Sequence, residues 1–174
     1  TNITSLTGAE KIEKIEQKAF QNCKALETVI LPDTVQELPT SSFRGCSALE
    51  LMVLPETLKT LGSSSIRDSF TEGGSLIMLG TTPPTITTPF GPSGSKPTGL
   101  TVYYPAEAEA AYKSTVLVDT TENNGYALSL TDSSMALASG ENSSTLTLNA
   151  TVPTGMTLVT TSSDTAVATA DGAT

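Results

Sequence analysis

The side chains available for chemistry in this chain are two cysteines, scattered carboxylates and many hydroxyls, because none of its 174 residues is histidine. Without an imidazole, Ser-His-Asp and Cys-His nucleophiles and His-ligated zinc are all excluded. Cys23 and Cys46 are well separated in sequence, with none of the further ligands that a metal or redox centre needs. Asp132, Glu141, Asp164 and Asp171 do not follow the D-x-D-x-D-G spacing of a calcium loop, so they are expected to be solvated turn residues. No G-x-S-x-G or Walker-type loop is present. The expectation is therefore no catalytic residue, no metal site and no cofactor. Asn2-Ile-Thr4, Asn142-Ser-Ser144 and Asn149-Ala-Thr151 match the N-glycosylation acceptor pattern, which arises readily by chance in a Thr/Ser-rich chain.

What positions these residues is a repeat. Ile12, Ile15, Phe20, Cys23, Leu26, Val29, Leu31 and Pro32 recur at a constant offset of 23 as Val35, Leu38, Phe43, Cys46, Leu49, Met52, Leu54 and Pro55. The pattern starts again at Leu58, Leu61 and Ile66. A fixed period of this length means one short unit stacked on copies of itself, each burying its apolar side against its neighbours. Leu26-Glu-Thr-Val29-Ile-Leu31 and Leu49-Glu-Leu-Met52-Val-Leu54 read LxxLxL, the strand portion of a leucine-rich repeat. Pro32 and Pro55 end these strands because proline cannot donate to the ladder. Apolar residues every third position from Ala19 to Leu26 and from Ser42 to Leu49 suit short helical or 3₁₀ turns on the convex side. Cys23 and Cys46 then fall on adjacent coils. That spacing is within reach of a disulfide, at roughly 4.4–6.8 Å between Cα atoms. In-register side chains run side by side, however, and Ser69 occupies the third equivalent position, so buried free thiols are expected.

The pattern I-x-x-I-x-x-x-A-F-x-x-C-x-x-L-x-x-V-x-L-P resembles the BspA-like leucine-rich repeats of bacterial surface and secreted proteins. Two full copies carry it and a third departs from it, with Ser69 for cysteine and an insertion within Thr71 to Ser75 before Leu76-Ile-Met-Leu79. Ile3 to Gly8 fits the strand of a preceding repeat, so the chain is expected to begin inside the solenoid, as a fragment or a processed form. Thr81 to Ile86 and Phe90 to Pro97 read as a Pro/Gly-rich loop that cannot continue a sheet. Leu100 to Tyr104 reads as one more strand, and Pro105 to Lys113 as a short helix with proline at its first turn and lysine at its last. The resemblance implies that this P-A-x-x-x-x-x-Y-K segment caps the array.

From Tyr126 the sequence changes to Thr/Ser-rich text with period-two alternation through Leu128/Leu130 and Leu146/Leu148/Ala150/Val152. Turn residues at Ser139-Gly140, Pro153-Thr-Gly155 and Asp171-Gly172 argue for short antiparallel strands in a sandwich. Met135 to Glu141, Leu146 and Thr161 to Gly172 resemble bacterial immunoglobulin-like domains of group 2, with Thr160 where that family has tryptophan and with the final strands missing. The expected organisation is leucine-rich repeats over 1–82, a cap over 83–118, a linker over 119–125 and a partial all-β immunoglobulin-like sandwich over 126–174.

Charge narrows the partners. The chain carries net −9, and residues 119–174 hold six acidic side chains and no basic one. Such a surface cannot neutralise phosphates, so nucleic acid and anionic membranes are poor partners. No run approaches the ~20 apolar residues of a membrane span, so direct insertion is not expected. Period-two alternation around Val29 sends Thr28 and Ile30 outward, then Leu51 and Val53, Met78 and Gly80, Thr101 and Tyr103. Ile30, Leu51, Val53, Met78 and Tyr103 are the candidate ligand-binding residues, an apolar stripe on the concave face. The competing reading is an aliphatic ladder that simply stabilises parallel strands. The resemblance implies a non-catalytic, extracellular, secreted or surface-attached bacterial protein. It would adhere to a host or bacterial surface protein or glycan through the solenoid, with the immunoglobulin-like part as spacer. The alternative is a substrate-docking module of a larger secreted hydrolase.

Overall fold

A stacked repeat must send its backbone hydrogen bonds along the stacking axis, since no single coil is long enough to close a ladder on itself. The computed structural model describes residues 3–7, 11–92, 96–121 and 124–126, and the strands at 128–130 and 148–150. It shows that arrangement on three sides of a parallel β-solenoid of about five turns. The first side is a six-stranded, all-parallel sheet of β1 (Ser5–Leu6), β2 (Thr28–Ile30), β4 (Leu51–Leu54), β6 (Ser75–Met78), β8 (Thr101–Pro105) and β9 (Gly125–Tyr126), in that order. The second is a three-stranded parallel sheet of β3 (Glu37–Leu38), β5 (Thr60–Leu61) and β7 (Thr85–Ile86).

The third side keeps the 3₁₀-type bonds of the expected short helical or 3₁₀ turns and interleaves them with bonds to the next coil. Alternate amides bond within the coil, Ala19 N to Glu16 O, Gln21 N to Lys18 O and Cys23 N to Phe20 O, as in a 3₁₀ turn. The amides between them bond to the next coil: Lys18 N to Thr40 O, Phe20 N to Ser42 O and Asn22 N to Arg44 O. Phe43 N to Ser65 O (2.8 Å), Gly45 N to Arg67 O (2.9 Å) and Ile66 N to Pro89 O (3.2 Å) continue the column. The alternation requires left-handed backbone at fixed phase. It occurs at Lys18, Ser41 and Ser64 (φ 62, 58 and 54°) and again at Asn22, Gly45 and Asp68 (φ 59, 77 and 56°). Each non-glycine residue held there costs roughly 1–2 kcal/mol, which the inter-coil bonds must offset. A regular helix is thereby precluded.

Inside the three sides, Val29, Met52, Leu76 and Val102 pair in register and are fully buried. Phe20 stacks on Phe43 with ring centroids 4.9 Å apart and planes at 10°. Phe43 is fully buried, whereas Phe20 is half-buried, so the two positions share a phase but differ in burial. The Pro/Gly-rich segment also differs from expectation. Thr85–Ile86 pairs with Thr60–Leu61, and Phe90 is buried after Ile66 N bonds Pro89 O, so the segment completes another coil. Prolines are tolerated because the strand is two residues long and lies at the edge of its sheet.

The expected closing helix is a 3₁₀ turn (Ala106–Ala108) followed by α1 (Glu109–Lys113). Tyr112 stacks on Tyr104 at 5.4 Å and donates its hydroxyl to Gly80 O at 2.8 Å, and Leu117 and Val118 are buried. Burial raises the Tyr112 pKa well above the usual phenol value. Gly125 and Tyr126, at the junction of the expected linker and C-terminal domain, form the sixth strand of the large sheet, and Tyr126 donates to Met78 O at 3.0 Å. The contacts divide the chain into Thr1–Tyr126 and Ala127–Thr174. Within the second unit β10 (Leu128–Leu130) and β11 (Leu148–Ala150) pair antiparallel. The rest of the expected immunoglobulin-like sandwich lies outside the described residues.

The unequal burial of the stacked rings is testable. Phe43→Ala should destabilise by about 3–5 kcal/mol, and Phe20→Ala by about 1–2 kcal/mol, since it removes less buried area. Chemical denaturation of both variants measures this, and equal losses would contradict the stacking order.

Candidate binding surface

Two rows of side chains leave the outer face of the large sheet, because period-two alternation sends alternate residues of each strand away from the core. One row is Thr28, Leu51, Ser75 and Thr101, and the other is Ile30, Val53, Ile77 and Tyr103, each aligned by strand register. Ile30 is 41% exposed, and Leu51 and Tyr103 are half-buried. Val53 and Ile77 are buried, at 4% and 0%, yet stand apart from the continuous core cluster. Of the five candidate residues, the structure aligns Ile30, Val53 and Tyr103 in one row and puts Leu51 in the row beside it.

Met78 is a correction. It pairs with Leu54, is 1% exposed and belongs to the core. The turn closed by Gly74 N to Thr71 O absorbs the insertion, leaving Ser75 opposite Leu51, one position later than the regular period would place it. An odd-numbered error in register moves every side chain to the other face. Ser75 and Ile77 take the places assigned to Met78 and Gly80, and the sequence carries a signal for it: Leu76-x-Met78 repeats the inward pair Met52-x-Leu54.

With the rows in place, the repeat can be compared with known families. Residues 1–72 match the BspA type Leucine rich repeat region (6 copies). No curated protein and no solved structure matches the chain.

In the BspA-type region the cysteine position has a structural use. Cys23 and Cys46 are free and buried. The Cys46 thiol lies 3.2 Å from Phe20 O, and Ser69, one repeat on, donates to Phe43 O at 2.7 Å. The third copy thus keeps the hydrogen bond while changing the atom. Burial pushes the Cys46 thiol up to about 11, so it stays protonated at neutral pH and is a poor nucleophile. The serines just before Phe43 and Ile66 behave differently: the buried hydroxyls of Ser42 and Ser65 have no hydrogen-bond partner among the described residues. Ala19 fills the same phase one coil earlier. No group of three or more His, Cys, Asp or Glu side chains among the described residues could hold a metal ion.

These environments separate two serines of similar burial. Ser69→Ala should destabilise by about 0.5–1.5 kcal/mol because Phe43 O loses its short side-chain bond and keeps only the longer one from Cys46 N, whereas Ser42→Ala should be neutral or stabilising. Thermal unfolding of the pair decides it, and a larger loss for Ser42→Ala would contradict the assignment.

Proposed function

We propose that this chain is a non-catalytic, extracellular binding and adhesion protein of a bacterium, holding a surface protein or glycan on the outer face of its large parallel sheet. The C-terminal part, read as immunoglobulin-like, serves as spacer. The observation that carries this reading is the outer face of the large sheet, where Ile30, Leu51 and Tyr103 stay accessible around the buried Val53 and Ile77 of the same aligned rows. Strand register fixes the positions of these side chains, and such preorder reduces the entropy lost on binding. Ile30, Leu51 and Tyr103 are the accessible members. The similarity of residues 1–72 to BspA-type repeats supports the surface setting. Family likeness alone does not fix function, so the proposal rests on the row.

The test pairs stability with binding. Ile30→Ser/Leu51→Ser removes accessible side chains outside the continuous core, so it should stay folded and lose capture on an array of immobilised matrix proteins and surface glycans. Met52→Ser empties a core position and should cost about 2–5 kcal/mol in stability. Unchanged capture by the folded double variant would overturn the proposed face, and unfolding as severe as that of Met52→Ser would make the row structural.

A further inference from the structure

A second site lies on the convex column, away from every residue of the apolar row. There, one phase of the repeat carries Asn22, Gly45 and Asp68, all left-handed. Gly45 opens a notch between its two neighbours. A Cβ on Gly45 would stand 2.4 Å from Asn22 Oδ1 and would push the amide aside, and the φ of +77° favours glycine as well. The notch widens into a cleft of about 380 Å³ lined by Gln21, Asn22, Lys24, Arg44, Ser47 and Asp68. Its volume is within the range of small-ligand sites.

The cleft's charge is opposite to that of the chain. Against a net charge of −9, it gathers Lys24 and Arg44 around one carboxylate, Asp68. The chain's two arginines, Arg44 and Arg67, occupy the same repeat phase on neighbouring coils. Asp68 Oδ2 lies 3.2 Å from Arg67 Nε and 3.8 Å from Arg44 Nε. Asp68 is therefore ion-paired more closely with Arg67 than with Arg44, whose guanidinium has five N–H donors to offer. Gln21, Asn22 and Ser47 add neutral donors and acceptors around the two cations. A carboxylate ringed by hydroxyls suits this set: the acid pairs with Arg44 and Lys24, and the hydroxyls bond the amides, Ser47 and Asp68.

We propose that this cleft binds an acidic sugar, a uronate unit of a polysaccharide, with Arg44 and Lys24 holding its carboxylate. The inference uses none of the apolar row, so Ile30→Ser/Leu51→Ser should leave it unchanged and the two sites can fail separately. The experiment titrates the full chain with trigalacturonate, its methyl ester and inorganic sulfate, reading backbone amide shifts by NMR. Trigalacturonate should shift Lys24, Gly45 and Ser47, and the uncharged ester should bind at least tenfold more weakly. Arg44→Gln should weaken trigalacturonate at least tenfold without changing the melting temperature. If Arg44→Gln lowers the melting temperature, Lys24→Gln replaces it, with the same tenfold loss expected. Absence of trigalacturonate binding, equal binding of the ester, or unchanged affinity in the folded variant overturns the proposal. Sulfate binding as tightly as trigalacturonate overturns it too, since the cleft would then hold an adventitious ion only.

Discussion

Every other feature of the solenoid depends on one requirement: each short coil must give its backbone polar groups to the coil above or below. In the two sheets this is ordinary parallel pairing, with Val29 opposite Met52 and Leu38 opposite Leu61. On the third side it forces alternate amides outward along the axis, as in Phe43 N to Ser65 O and Gly45 N to Arg67 O. An unpaired buried amide costs about 1–3 kcal/mol, comparable to the cost of a left-handed residue, so the strained backbone is retained where it completes the ladder. The side-chain column follows from it. Phe20 can stack on Phe43 because the same phase is repeated one coil away.

The ends of the ladder are where the chain departs from repetition. Beyond β6 the spacing widens: Ser75 pairs with Thr101, a longer step than the one that pairs Thr28 with Leu51 in the two full repeats. The extra residues cross through the Pro/Gly-rich segment and return to β8. Tyr112 and Tyr126 then occupy the carbonyls of Gly80 and Met78. The aromatic ring supplies burial and the hydroxyl supplies the missing donor, a combination that leucine cannot provide. The tyrosine of the P-A-x-x-x-x-x-Y-K segment thus ties α1 to the coil before it.

The period, the inward positions and the strand ends were legible in the sequence because they depend on side-chain type, and the two full copies keep phase at every apolar position. The left-handed turns were not, since Lys18, Ser41 and Ser64 carry no glycine to mark them and their conformation is imposed by the neighbouring coil. For the same reason the apolar triplets looked helical. Thr85–Ile86 carries no strand signal of its own, because its pairing is only two residues long and prolines flank it. The candidate surface was legible as far as the repeat was regular, which placed Ile30, Leu51 and Val53. Past the insertion, an odd slip assigned Met78 outward and hid Ile77. Tyr103 survived because Leu100, Val102 and Tyr104 restore the alternation on their own. The polar cleft left no motif, because its residues meet only across coils.

The inter-coil ladder of the third side is tested most directly by amide hydrogen exchange on the intact chain. The account predicts that Phe43 and Gly45 amides are protected to the same extent as the strand amides of β4, because both open only when coils separate. Exchange of Phe43 and Gly45 at the rate of open surface turns, with β4 still protected, would contradict it.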